Sequence, residues 1–258
     1  MCLILFSYQP GTDQPLVVSA NRDEFYARPA AAAHYWPDRP NIFAGRDLSA
    51  QGTWLGVSKQ GRFAAVTNFS AGDAPQDYPA SRGALVASFL DGQQSSADYA
   101  QSLEPTDYAG YNLLLFDGAQ LVYTTNKAYA DQTLEAGTYG LSNAELGANW
   151  PKCIDGAERL LAANPATAKL DQLLEILADQ TPPSDERIPL RAHLQTAPLA
   201  EQRRLAARFI AGDDYGTRAT TVVRITTTAV DVCEQSFLPK GEPSGAVYAR
   251  MNRIAGQH

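Results

Sequence analysis

Apolar residues in this chain fall into short runs broken by turn residues, a pattern of β-hairpins rather than long helices. Residues 2–7 and 16–20 are β-rich and flank Gln9-Pro10-Gly11-Thr12-Asp13, which predicts a first hairpin. Residues 53–58 and 63–67, joined by Lys59-Gln60-Gly61-Arg62, predict a second. Residues 111–116 and 121–125 surround Asp117-Gly118 and predict a third, and residues 220–225 with 229–233 a fourth. Between the hairpins the apolar spacing becomes helical. Ser81 can cap a segment with Leu85, Val86, Phe89 and Leu90 on one side. Residues 154–163, 170–178 and 199–210 continue the helical pattern, the last ended by Gly212. Thr181-Pro182-Pro183-Ser184 is a loop too short to divide the chain, and no internal repeat is found, so one domain over residues 1–258 is expected.

The first strand carries more information than its length suggests. Leu3-Ile4-Leu5-Phe6 does not alternate, which predicts burial on both faces. Two stacked sheets flanked by helices satisfy this, and so does one sheet covered on both sides.

Composition narrows the function classes. At 258 residues the chain can bury a sizeable core, and 45% hydrophobic with 19% charged residues is ordinary for a soluble domain. A net charge of -7 without a long basic cluster argues against a nucleic-acid surface. The start has neither a basic segment nor a long apolar stretch, so neither a signal peptide nor a membrane span is expected. Cys2, Cys153 and Cys233 are too widely spaced for a disulfide framework or a zinc pattern, and a reducing cytoplasm is the expected location.

Candidate chemistry begins at Cys2. Removal of Met1 would leave a thiol and a free α-amine on one residue. The thiolate is the nucleophile, and an amine titrating near ~8 can accept a proton at cellular pH. An arbitrary cytosolic cysteine is more often a small buried residue. The cluster Asn21-Arg22-Asp23-Glu24 directly follows the second run, and the hairpin returns it towards Cys2. There Arg22 can complement a thiolate and Asp23 can orient the ammonium, although a solvated turn with a local salt bridge is the commoner use of such a cluster.

Met1-Cys2 with Ala20-Asn21-Arg22-Asp23-Glu24-Phe25-Tyr26-Ala27-Arg28-Pro29 resembles the opening of the family named for its Asn-Arg-Asp-Glu motif, the transport and Golgi organisation type. The resemblance continues through Ala44-Gly45-Arg46-Asp47, Gly52-Thr53-Trp54-Leu55-Gly56-Val57 and Gly61-Arg62-Phe63-Ala64-Ala65-Val66-Thr67-Asn68. It resumes at Tyr139-Gly140-Leu141-Ser142-Asn143-Ala144, Trp150-Pro151-Lys152 and Tyr215-Gly216-Thr217-Arg218. Gln51 stands where glycine is expected.

The resemblance implies an N-terminal-nucleophile hydrolase-like fold of class α+β, a four-layer αββα sandwich of two stacked antiparallel sheets between helices. It also implies a site: Cys2 as nucleophile, Asp23 at the amine, Asn68 and Asn143 as the two asparagines with Asn143 an oxyanion donor, and Arg218 as a late arginine. Arg22 matches the early arginine less well, because strand alternation turns it away from Asn21 and Asp23. Trp36, Trp54 and Trp150 are candidates for a ligand pocket, with core packing as their default.

Two functions follow. One is a cysteine hydrolase or acyltransferase acting on an amide or thioester of an acyl ligand, with no cofactor required. The other is a non-enzymatic carrier of haem, acyl-coenzyme A or lipid. Haem has little direct support, since His34, His193 and His258 are the only histidines and no Cys-x-x-Cys-His occurs. A pure interaction module gives no reason for these polar residues to occur together.

Overall fold

The protein is described by a computed structural model covering residues 2–69, 77–127, 131–189 and 196–253. Met1, His193 and His258, and with them the expected loss of the initiator, lie outside the described residues.

The first hairpin is β1 (Cys2–Tyr8) and β2 (Leu16–Phe25). The second strand runs five residues past its expected end, so the Asn-Arg-Asp-Glu cluster is strand and not the turn after it. Tertiary partners make this tolerable. The Asn21 amide donates to the carbonyls of Leu177 (3.1 Å) and Arg208 (2.8 Å), and its Oδ1 accepts from Thr220 Oγ1 at 2.6 Å.

A hairpin absent from the sequence reading follows: β3 (Ala30–Trp36) and β4 (Arg39–Asp47). Its alanines, proline and charges give weak local strand signals. Next come β5 (Leu55–Ser58), β6 (Phe63–Asn68), α1 (Arg82–Asp91) and α2 (Ser96–Gln101). The third expected hairpin appears with its expected bounds as β7 (Tyr111–Phe116) and β8 (Leu121–Thr125), followed by β9 (Gln132–Thr133) and β10 (Gly137–Leu141). Then come α3 (Pro151–Ala162), α4 (Leu170–Glu175) and α5 (Leu199–Ala206). The last three strands are β11 (Tyr215–Ile225), β12 (Ala229–Leu238) and β13 (Glu242–Asn252). Helix α5 stops short of residue 210 because other groups claim the backbone beyond it. The carbonyl of Arg208 goes to Asn21, the Phe209 N–H to the Asp179 carbonyl, and the Ile210 N–H to Thr217 Oγ1.

Two antiparallel sheets result, with strand orders β10-β1-β2-β11-β12-β13 and β3-β4-β5-β6-β7-β8-β9. Three separate cores define the layers. Ile4, Phe6, Val18, Phe63, Leu114 and Val223 pack between the sheets. Leu85, Val86, Phe89 and Leu90 of α1 cover Ala64, Leu113 and Leu115 on the outside of the seven-stranded sheet. Leu3, Leu5 and Val17 meet Leu160, Leu173 and Leu177 on the outside of the six-stranded sheet. The fold is therefore a four-layer αββα sandwich, and the uninterrupted Leu3-Ile4-Leu5-Phe6 run faces two different cores. Each fully buried leucine or phenylalanine in it contributes ~1.5–3 kcal/mol. No helix among the described residues is long and apolar enough to cross a membrane.

The sheets are also tied by polar bonds. A register shift in β3 between Ala31 and His34 releases the Ala33 N–H from its ladder, and Glu234 of β12 accepts it at 2.7 Å across the inter-sheet space. The other Glu234 oxygen accepts from Thr221 Oγ1 at 2.9 Å. Burial pushes the Glu234 carboxyl above its ordinary value, and these two hydrogen bonds oppose the shift. A carboxyl raised on folding contributes stability below its unfolded value near ~4.3, and loses it as pH rises through the folded value. Glu234→Gln retains an acceptor for Ala33 without a charge to desolvate. Its melting temperature is expected to match or exceed wild type at neutral pH and to vary less with pH. Glu234→Ala orphans the Ala33 N–H and is expected to cost about 1–3 kcal/mol in chemical denaturation.

Candidate active-site cleft around Cys2

In the β1–β2 ladder Ile4 stands opposite Ala20, Phe6 opposite Val18, and Cys2 opposite Arg22. Residues directly opposite in an antiparallel pair point to the same face. Ile4, Ala20, Phe6 and Val18 all lie in the inter-sheet core, so Cys2 and Arg22 project into the space between the sheets. Asn21 and Asp23 occupy the opposite face. Alternation separates Arg22 from its neighbours, as the sequence indicated, and the face it leaves Arg22 on is the one carrying the thiol.

Here the inter-sheet space opens into a cleft of about 250 Å³ lined by Cys2, Arg22, Arg28, Asp47, Trp54, Asn68 and Arg82, with Asp23 and Glu24 also reaching it. Cys2 is half-buried, whereas Cys153 and Cys233 are fully buried. The Cys2 carbonyl accepts from Ser142 Oγ at 2.7 Å, which anchors the strand end to the residue after β10. The carbonyl of Ser142 in turn accepts from Thr67 Oγ1 and from Asn112 Nδ2, and Asn143 Nδ2 donates to the Asn68 carbonyl at 2.8 Å. One hydrogen-bonded chain thus joins Cys2 to the end of β6 in the other sheet. Asn68 reaches the cleft with an exposed side chain, while Asn143 lies behind the wall, 1% exposed.

Arg22 is gripped on two sides. Its guanidinium carbon lies 4.2 Å from the Trp54 ring centroid, and its Nη2 lies 3.3 Å from Asp47 Oδ2. Arg28 meets the same carboxylate in a forked pair, with Nε 2.5 Å from Oδ2 and Nη2 3.2 Å from Oδ1. The N–H groups of Ser49 and Ala50 complete the shell of Asp47. Burial opposes ionisation of Asp47, and the bonds from Arg28 and Ala50 with the charges of Arg28 and Arg22 outweigh it, leaving the carboxyl below its ordinary value. Burial likewise lowers Arg22, against the opposing charges of Cys2, Glu24 and Asp47.

Trp54 can lie flat only because position 45 has no side chain: a Cβ there would stand 2.3 Å from Trp54 Cη2. Gly52 plays the same part against α1, since its Cβ would meet the Gly83 backbone at 2.4 Å. Thr53 N–H donates to the Gly83 carbonyl at 3.2 Å, so this loop sets the helix start and with it Arg82. Gln51, where the motif leads to glycine, adopts a φ of +61°, the left-handed conformation that glycine favours.

Asp23 is held by a relay on the outer face. The Ile210 N–H donates to Thr217 Oγ1 at 2.9 Å, and that hydroxyl donates to Asp23 Oδ1 at 2.7 Å. Arg218 sits at a bulge in β11 between the partners of Asp23 and Arg22. Its Nη1 donates to the carbonyls of Phe25 and Arg28, both at 2.9 Å, and its guanidinium lies over Tyr26. It faces a second cleft of about 330 Å³, which shares only the Arg22–Trp54 pair with the first. The structure therefore brings Cys2, Arg22, Asp23 and Asn68 to one cleft, places Asn143 behind its wall, and puts Arg218 beyond the Arg22–Trp54 partition. Of the tryptophans only Trp54 lines the Cys2 cleft; Trp36 is core, and Trp150 packs beside α3. His34 is held by the Ala32 carbonyl and does not line it.

Arg28, Asp47 and Arg82 were not predicted as site residues. Arg28 and Asp47 lay inside recognised motifs without an assigned role, and Arg82 had no signal beyond following a helix cap.

A model of the family described as Transport and Golgi organisation 2 matches residues 1–239. This chain belongs to that family. The Bos taurus Transport and Golgi organization protein 2 homolog is 34% identical over 247 residues, covering 87% of this chain and 88% of that protein. The Homo sapiens homolog is 34% identical over 263 residues, covering 93% and 94%. Among solved structures, a Caenorhabditis elegans N-acylethanolamine-hydrolyzing acid amidase ortholog aligns with a TM-score of 0.49 at 9% identity, over 86% of this chain and 92% of that one. A variant of the conjugated bile acid hydrolase from Clostridium perfringens gives 0.49 at 8% identity, over 99% of each.

In this family member Asp47→Asn removes the charge that holds both Arg22 and Arg28. A stability loss of about 1–3 kcal/mol at neutral pH is expected by denaturant titration. The depressed Asp47 carboxyl contributes stability above its unfolded value near ~3.9, and that contribution is lost as pH falls through the folded value. The difference between wild type and Asp47→Asn should therefore shrink below about pH 4.

Proposed function

We propose that this chain is a cysteine hydrolase or acyltransferase acting on an amide or thioester of an acyl ligand, with Cys2 as nucleophile. The observation that carries the reading is the position of Cys2: a half-buried thiol at a strand end, in an open cleft, directly across the ladder from a buried guanidinium. A structural cysteine in this fold needs no facing cation; Cys153 and Cys233 are buried, Cys153 lies on α3, and Cys233 stands across its ladders from Val222 and Tyr248, not from a guanidinium.

With Met1 removed, the Cys2 α-amine takes the thiol proton and the sulfur adds to the substrate carbonyl carbon, forming a C–S bond and placing charge on the carbonyl oxygen. Collapse breaks the bond to the leaving nitrogen or sulfur, which receives the proton from the ammonium. Water then cleaves the acyl-cysteine, or an acceptor nucleophile takes the acyl group. Asn68 and Arg22 are the cleft groups proposed to donate to the developing oxyanion, an interaction type worth ~3–4 kcal/mol per donor. Asp23, oriented by Thr217, is the acceptor proposed for the ammonium.

The test is turnover of an acyl-p-nitroanilide and an acyl-coenzyme A thioester by protein whose intact mass shows Met1 absent. Cys2→Ala is expected to lower kcat by on the order of 10³-fold or more with an unchanged melting temperature. Saturable binding of acyl-coenzyme A or haem without product, equal in wild type and Cys2→Ala, would overturn this reading in favour of a carrier.

A further inference from the structure

The charges lining the Cys2 cleft are unequally matched. Arg22 and Arg28 both bond to Asp47, which fixes them in place and offsets one of their two charges. Asp23 belongs to the opposite face of its strand and is engaged by Thr217. Glu24 turns back on its own strand, accepting the Phe25 N–H at 2.9 Å. Arg82 is different. Among the described residues it makes one hydrogen bond, from Nη1 to the Gly110 carbonyl at 3.2 Å, and no ion pair. A guanidinium has five N–H donors, so most of its hydrogen-bonding capacity is unclaimed among the described residues and suits a ligand.

Its position is built rather than incidental. Arg82 opens α1, and the Gly52–Gly83 backbone contact fixes that helix start against the loop carrying Trp54. Burial lowers Arg82 from its ordinary value, and the charges of Cys2 and Glu24 act against that shift, so sulfur and guanidinium share one electrostatic field. A half-buried cation with no carboxylate in contact among the described residues attracts an anion from solution.

We propose that Arg82 is a substrate-binding residue, the anchor of an anionic subsite in the Cys2 cleft, so that the ligand carries a carboxylate or phosphate group beside the bond presented to the thiol. This deepens the hydrolase reading and rests on its choice of cleft, but not on turnover. The forked donor set suits two oxygens of one anion, and carboxylate and phosphate share that chemistry.

Alkylation of Cys2 tests the subsite without any catalytic cycle. Iodoacetate and iodoacetamide form the same C–S bond with loss of iodide and the thiol proton; only iodoacetate is charged. Labelling is followed at Cys2 by peptide mass spectrometry at low ionic strength, where surface screening is least. Arg82→Gln is expected to lower the iodoacetate-to-iodoacetamide rate ratio by about threefold to tenfold. Arg82→Lys, which keeps the charge, should retain most of it. In the unmodified protein, millimolar pyrophosphate or succinate should slow iodoacetamide labelling. Protection by pyrophosphate alone identifies a phosphate-bearing ligand, protection by succinate alone a carboxylate, and protection by both a general anion site. An unchanged ratio in Arg82→Gln overturns the proposal, as does the absence of protection by both anions, which needs no variant to fold. Protection without turnover of any acyl substrate would retain the anion subsite while removing the hydrolase.

Discussion

Strand register is the constraint on which this site depends. A strand's side chains alternate strictly, so Ile4, Phe6 and Tyr8 cannot reach the inter-sheet core unless Cys2 faces the same space. A slip of one residue would move three large apolar side chains onto the face now filled by Leu3 and Leu5, and would turn the thiol towards α3. The placement of Cys2 is thus enforced by the burial of residues that have no part in its chemistry. Arg22 inherits its position from the same ladder, because it stands across from Cys2.

Given that register, the remaining problem is electrostatic. A guanidinium 5% exposed between two sheets must be stabilised by its surroundings. The solution uses both sheets. Arg22 comes from the six-stranded sheet, while Asp47 closes β4 and Trp54 precedes β5 in the seven-stranded one. Glu234 to Ala33, Thr67 to Ser142 and Asn143 to Asn68 are further bonds across the same divide. The polar ties cluster where the apolar core thins towards its open end. Buried hydrogen bonds there have only modest net strength, yet leaving one partner unpaired is costly, so they specify the relative position of the sheets more than they add stability.

Much of the fold was legible in local pattern, and the failures have physical causes. The residues 111–116 and 121–125 hairpin is long, apolar and closed by Asp117-Gly118, and its bounds match β7 and β8. Strand β13 lies at a sheet edge and is exposed over residues 242–246, so only the short alternation of Val247, Ala249 and Met251 was there to read. Strand β2 was cut short at Ala20 because Asn21, Arg22 and Asp23 are poor strand residues in isolation. Their partners, Leu177, Arg208, Asp47 and Thr217, are distant in sequence, and only the folded chain supplies them. The cysteine and the motif around Arg22 were visible at once. Arg82 was not, because the case for it comes from its setting among the described residues, where no carboxylate pairs with it, a property of the assembled cleft.

The arginines illustrate why residue matching alone does not assign roles. Arg218 answers to the late arginine of the resembled pattern, but its donors are drawn to the carbonyls of the turn after β2, on the far side of the Arg22–Trp54 partition. Its work there is to hold that turn, and the turn in turn presents Arg28 to Asp47. An arginine tied to a carboxylate or to several backbone carbonyls sets geometry; one with a single carbonyl bond among the described residues is suited to binding. By that distinction Arg22 and Arg28 shape the cleft wall, Arg218 holds the turn behind it, and Arg82 is the arginine proposed to meet a ligand.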